Sequence, residues 1–224
     1  MKTAGRGGNA GSLRFIDINS DRIYTPILTL SSAQNVLSYS FWVKNEASTT
    51  INSIINTGDQ TPTSGLVWIY ISASGILTVQ IVDTIRRRVF EMTQVIDSQW
   101  IHFTITVDYT NRFIYLYQNG IFIKSVYGSD SPVFVFPSEN KRMYFASYVT
   151  SQTLNGYLQD MRIYDRPLHQ NEVKLLFQGL PISRVGLIGE WKMNEMSGTT
   201  AYDTSGQGNH GTIVGATYST EKPF

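Results

Sequence analysis

Cysteine is absent from the 224 residues. Disulfides, thiol catalysis and cysteine-ligated zinc are therefore excluded. No apolar run is long enough to span a bilayer, so membrane insertion is not expected. The net charge is only +1. Without a global field to draw it there, the chain has no nucleic-acid or membrane partner to expect. Its opening, MKTAGRGGNAGS, carries positive charge but no apolar core, which does not read as a secretory signal. Such a chain is expected to work where it is made, or to leave as part of a particle.

Motifs that carry chemistry are missing too. The three histidines, His102, His169 and His210, are far apart and match no zinc spacing. His102, inside a strand, reads as a structural hydrogen-bonding residue. There is no G-x-S-x-G nucleophile elbow, no Walker loop and no G-x-G-x-x-G ahead of a helix; Gly206-Gln207-Gly208-Asn209 belongs to a turn. A two-carboxylate glycosidase needs its acids close together across one bond, and no Glu-x-Asp-x-x-Glu run exists to supply them. Glu190 and Glu195, like Asp160 and Asp165, are spaced so that a strand sends them to opposite faces. No catalytic residue is assigned, and the chain is not expected to be an enzyme.

What is present is strand material. Hydrophobic residues make up 42% and charged residues 16%, the balance of a folded domain. The 13 Tyr and 11 Phe suit strands. Tyr39–Val43 is an aromatic strand, and Ile51–Asn56 follows. Leu66–Ile71 and Ile76–Val82 flank the turn Ser72-Ala73-Ser74-Gly75, and Arg88–Met92 is short. Trp100–Val107 alternates most clearly, with Ile101, Phe103, Ile105 and Val107 on one face. Arg112–Gln118 and Ile121–Val126 flank Asn119-Gly120, a strong hairpin signal. Met143–Ser147 and Gly156–Tyr164 precede one helix, about His169 to Gln178, which ends on Gly179 and Pro181. No internal repeat is visible. The fold class is all-β: a two-sheet antiparallel β-sandwich with one short helix. Residues 1–224 read as one domain. Within it, 1–12 form a Gly-rich arm for a neighbouring molecule to cover, and 187–224 form a terminal strand and loop.

That terminal stretch carries a motif. LIGEWKMNEMSGTTAYDTSGQGNHGTIVG, from Leu187 to Gly215, reads as a strand with Trp191 and Met193 turned to a core, then a turn-rich segment. It resembles the opening of laminin-G-like, concanavalin A-like jelly-roll domains. Four further pieces are similar to that family in order: Tyr39-Ser40-Phe41-Trp42-Val43-Lys44, Gln99 to Asp108, Tyr115 to Gly120, and Gly156 to Leu168. The strand that should follow the opening, Gly11-Ser12-Leu13-Arg14-Phe15, sits at the other end of the chain. The resemblance thus implies either a circular permutation or a last strand lent to a neighbour.

The resemblance also implies ligands. Calcium is the best cofactor candidate, structural rather than catalytic, with Asp160 as an oxygen donor by position and Asp203 and Asn209 as further candidates. The alternatives are an ion pair of Asp160 with Arg162 or Arg166, and simple turn capping by Asp203 and Asn209. Glycan binding needs exposed ring faces beside polar groups; Trp68, Tyr70, Tyr115 and Tyr117 are the candidates, with cross-strand packing as the alternative. Arg86-Arg87-Arg88 reads as a solvated strand face or edge guard. The expected role is a non-catalytic interaction module, a multi-copy component of a virion or surface assembly with glycan recognition. A free lectin and, after it, a glycosidase are the alternatives. Partners would be protein neighbours in a homo- or hetero-oligomer, located in a virion or at an extracellular or cell surface.

Overall fold

The computed structural model describes residues 11–16, 20–30, 35–57, 66–82, 87–129, 134, 141–147 and 152–223. In chain order its elements are β1 (Ser12–Phe15), β2 (Arg22–Leu28), β3 (Val36–Asn45), β4 (Asn52–Thr57), β5 (Leu66–Ile71), β6 (Ile76–Val82), β7 (Arg87–Gln94) and β8 (Trp100–Asp108). Then come β9 (Phe113–Gln118), β10 (Ile121–Tyr127), β11 (Lys141–Phe145), β12 (Gly156–Tyr164), α1 (Gln170–Phe177), β13 (Leu187–Trp191), β14 (Thr200–Ala201), β15 (Gly211–Val214) and β16 (Thr217–Ser219). Most of the Gly-rich arm, residues 1–10, and Arg86 of the basic cluster lie outside the described residues.

The strands form two antiparallel sheets of eight, which is the expected class. The first runs β10-β9-β8-β3-β12-β1-β16, with β13 also on β12; the second runs β14-β15-β2-β11-β4-β5-β6-β7. Period-two alternation explains why they stack. Leu37, Tyr39, Phe41 and Val43 of β3 and Ile101, Phe103, Ile105 and Val107 of β8 point inward. They meet Val67, Ile69 and Ile71 of β5 and Val79 and Ile81 of β6 in one continuous core. Asn119 and Gly120 both have positive φ, 51° and 79°, the turn geometry that matches strand twist in a two-residue hairpin.

The polar face of β8 is not solvated, although it alternates as read. His102, Thr104 and Thr106 are buried because α1 lies over this part of the first sheet. Phe177 stacks on Trp42 at 5.6 Å and meets His102 at 6.2 Å. The helix ends as its sequence requires. Glu172 accepts the His169 backbone N–H at 3.1 Å, and Gly179 takes φ 70° while the Leu180 N–H closes on the Leu175 carbonyl. The strand read as Met143–Ser147 lies slightly earlier, because Ala146 turns to φ 64° and breaks the ladder.

Residues 187–219 pair within the chain and serve both sheets. β13 lies on β12, with Trp191 opposite Met161 and Glu190 opposite Arg162. β15 lies on β2, and β16 on β1, where Ser12 faces Ser219. Trp191 is fully buried, stands edge-on to Phe145 at 4.9 Å and donates its indole N–H to the Asn209 carbonyl. Its ring covers Gly189 so closely that a Cβ there would sit 2.2 Å from it. Cutting the chain after Arg184 therefore removes Trp191, Met193 and Ile213 from the core and uncovers half of one side of β12. The truncated chain is expected to show no cooperative thermal transition by circular dichroism; a sharp one would mean that the first 184 residues fold alone.

Candidate functional site

The first sheet carries a groove on its outward face. β8, β9 and the segment before α1 form it. Along β9, Phe113, Tyr115 and Tyr117 take the outward positions, while Ile114 and Leu116 point to the core. Register places Asp108 beside Phe113, Thr106 beside Tyr115 and Thr104 beside Tyr117. Pro167 and Leu168 also line it, and the open groove has a volume of about 500 Å³.

The β8–β9 turn shapes the polar end. Asp108 accepts the backbone N–H and the side-chain amide of Asn111, both at 2.8 Å, an Asx arrangement that holds the carboxylate at the rim. Thr106 is tied inward to Ser38 at 2.8 Å, and Ser38 in turn donates to the Arg166 carbonyl. The exposed polar groups are thus Asp108, Thr110, Asn111 and the tyrosine hydroxyls. Partial burial pushes the Tyr117 phenol up, with Tyr115 beside it adding to the shift, so that hydroxyl stays a donor well into alkaline pH.

Of the four candidate aromatics, the structure brings Tyr115 and Tyr117 together and sets Trp68 and Tyr70 apart. The latter two lie on β5 of the other sheet, ring centroids 4.2 Å from each other, only 4% and 8% exposed, and packed with Ile51. The Trp68 indole donates to Ser53 at 3.0 Å. A covered ring offers no face to a sugar, so for these two the packing alternative applies. Asp108, Thr110 and Asn111 are the groove residues missed in the sequence. Their signal was an Asp–x–x–Asn turn leading straight into the alternating aromatics of β9.

The calcium candidates are occupied by protein groups. Asp160 receives both the Nε and an Nη of Arg162 at 2.9 Å and Lys192 at 3.0 Å. Glu190 pairs with Arg162, Lys192 and Arg184. Burial pushes the Asp160 carboxyl up, but Arg162 and Lys192 more than offset it and hold it below the usual carboxylate range. Asp203 accepts four donors: the N–H groups of Glu190, Ser205 and Asn209 and the Ser205 hydroxyl. The Asn209 amide donates to the Ile188 carbonyl. Cations on one carboxylate and four donors on the other do not fit a calcium cage of free oxygens. Among the described residues no group of three or more His, Asp or Glu is placed to hold a metal.

One pair imitates a catalytic one. The Ser40 hydroxyl lies 3.0 Å from His102 Nε2. Both residues are only 1% exposed, and His102 Nδ1 has no partner to orient the ring. Substrate cannot reach them.

These observations meet the comparisons with known proteins. Residues 17–174 match the family model described as the concanavalin A-like lectin/glucanases superfamily. The chain belongs to this superfamily. A protein from Bacteroides ovatus, provisionally described as carbohydrate-binding, superposes with TM-score 0.67 at 16% identity, covering 95% of this chain and 60% of its own. A heptameric SAP-like pentraxin from Limulus polyphemus gives TM-score 0.62 at 11% identity over 93% of this chain and 92% of its own. The ligand-binding domain of botulinum neurotoxin serotype D, in complex with N-acetylneuraminic acid, gives 0.53 at 19% identity over 72% of this chain and 40% of its own. The chain thus spans less than two thirds of the Bacteroides and toxin structures. At these identities the likeness is one of fold, a lectin-like jelly roll. No protein of curated function matches the sequence.

The buried imidazole predicts acid behaviour. Burial pushes His102 down from 6.5 to about 3, Asp160 opposing the shift and Arg162 adding to it. Between those values the unfolded chain binds a proton that the folded one refuses, so stability falls as pH drops from 6.5. Asp160 and Glu190, whose folded values are lowered, act only below the ordinary carboxylate range. Urea unfolding of His102→Gln should therefore lose the decline between pH 6.5 and about 5 that the parent shows. Parallel curves would assign that decline to another group.

Proposed function

We propose that this chain is a carbohydrate-binding module that holds its ligand without transforming it. The observation that carries the reading is the placement of two partly exposed tyrosines, Tyr115 and Tyr117, in one groove beside Asp108 and Asn111. Ring faces take the C–H faces of pyranoses, while a carboxylate and an amide take hydroxyls. The descriptions of the Bacteroides protein and the toxin domain give carbohydrate binding a precedent on this fold. The non-catalytic part rests on the carboxylates. Asp108 is the one acid among the described groove residues, whereas hydrolysis by the common route needs two. Asp160 and Glu190 are buried among cations, and Glu195 accepts the Tyr202 N–H and the Tyr218 hydroxyl.

A glycan array probed with the labelled chain is expected to give a defined set of hits. Tyr115→Ala and Tyr117→Ala should each weaken them about tenfold, roughly 1.4 kcal/mol, with melting temperatures close to the parent's. An array without hits, or hits indifferent to both substitutions, would overturn the reading.

A second reading, a repeated component of a virion or surface assembly, draws on the outer edge of the first sheet. β10 is its last strand, with Ile121 66% and Ile123 42% exposed. Edge strands are usually guarded by charge, yet Lys124 turns its ammonium to the Glu91 carbonyl at 2.8 Å. Several copies would also multiply a weak single-site affinity. Light scattering should then show a mass that grows with concentration and falls to the monomer in Ile123→Lys. A constant monomer mass in the parent would remove this reading.

A further inference from the structure

The groove has a direction and a charge, and both select among sugars. Phe113, Tyr115 and Tyr117 occur at every second residue of β9, so their ring positions run about 14 Å along the strand. Phe113 stacks with Tyr115 at 5.8 Å and an interplanar angle of 29°, and Phe122 of β10 closes edge-on to Tyr117 at 5.5 Å. Opposite Tyr115 on β10 stands the small Ser125, which leaves the middle ring uncrowded on its outer side. Tyr115 and Tyr117 line the groove itself, Tyr117 with one side packed on the Leu168 and Val173 cluster, and the file continues past the lining to Phe113, whose far side meets Tyr127 at 5.1 Å. Beside it, on β8, Thr104 and Thr106 are buried and Asp108 is the residue that reaches the rim.

The charge is negative. Asp108 lines the groove, and no lysine or arginine does among the described residues. Arg112, next to Asn111, is turned away, its guanidinium over the Tyr127 ring at 5.0 Å and bonded to that phenol, and Arg166, next to Pro167, is paired with Glu172 at 2.7 Å. An acidic sugar would bring a second negative charge to Asp108 with nothing to neutralise it, a juxtaposition that suppresses the wrong partner. A single pyranose would cover one ring of the file. A linear β-linked chain presents successive ring faces along a line, while an α-1,4-linked chain coils away from a strand.

Resting on the carbohydrate-binding reading above, we infer that the groove takes a neutral, extended, β-linked oligosaccharide of about three units laid along β9, and excludes acidic glycans. Tyr115 and Tyr117 hold two units, Phe113 the third, and Asp108 with Asn111 takes hydroxyls of the unit at that end.

Titration calorimetry on the full chain tests this. The probes are β-1,4-linked gluco-, xylo- and manno-oligosaccharides of one, two, three and six units, α-1,4-linked maltohexaose, and 3′-sialyllactose. At least one β-linked series should gain about tenfold or more in affinity from one unit to three, and less than about twofold from three to six. Phe113→Ala should bring the affinity for three units down to that for two. Maltohexaose and sialyllactose should not compete. Equal affinity for one and three units, or binding of maltohexaose or sialyllactose that Tyr115→Ala abolishes, would overturn the inference and leave carbohydrate binding standing. Silence across this panel and the array would remove the carbohydrate reading, and the inference with it.

Discussion

Strand β12 is paired along both sides, and one of those sides is divided between strands from opposite ends of the chain. β3 runs the whole length of the other side. On the divided side β1 takes Gly156 to Leu158, and β13 takes Met161 to Tyr164. The break falls at Asp160, where φ of 52° interrupts the ladder. There Asp160, Arg162 and Glu190, all buried, and the partly exposed Lys192 close an ionic network between β12 and the β13 end. Desolvation consumes much of what such a network gains, so its best use is to specify register. A one-residue slip of β13 would separate these charges and turn Trp191 away from Phe145. The core and both sheets depend on that register, because the same terminal stretch continues into β15 and β16.

The strands legible in the sequence were those where alternation and turn chemistry agree. β8 and the β9–β10 hairpin are the clear cases, since two positive-φ positions at Asn119 and Gly120 admit few other structures. What alternation does not carry is cover. Trp68 and Tyr70 repeat the spacing of Tyr115 and Tyr117, yet one pair is packed away and the other partly open. Trp68 and Tyr70 pack on each other and on Ile51, with the Trp68 indole bonded to Ser53, contacts between strands that leave no local mark. His102 is the same case, a polar residue on the outward side of a strand that α1 makes interior. The positive φ of Asp160 was equally silent in the sequence, as no glycine marks it.

The groove follows from ordinary sheet geometry. In an antiparallel sheet neighbouring residues on one face stand side by side, so the aromatic file of β9 runs beside a polar file of β8 whose threonines are buried. A turn that caps itself, Asp108 to Asn111, ends those files with fixed hydrogen-bonding groups. Neither a loop of unusual length nor a strained backbone at the rings is needed. The covering helix meets the outer strands at the β9–β10 hairpin, where Gln170 bonds the Gly120 carbonyl and Tyr117 packs on the helix cluster, while at the other end of β9 Asp108 stays partly exposed and Asn111 exposed.

The pairing of β16 with β1 sets the polarity of the whole module. Ser12 and Ser219 lie opposite each other at the far edge of the first sheet, on strands four and five spacings from β9, or about 19 and 24 Å. Entry and exit points of the fold therefore coincide on one side, like the two wires of a plug. Strands that enter and leave side by side need a single gap in a host loop, the arrangement that tolerates insertion of one fold into another.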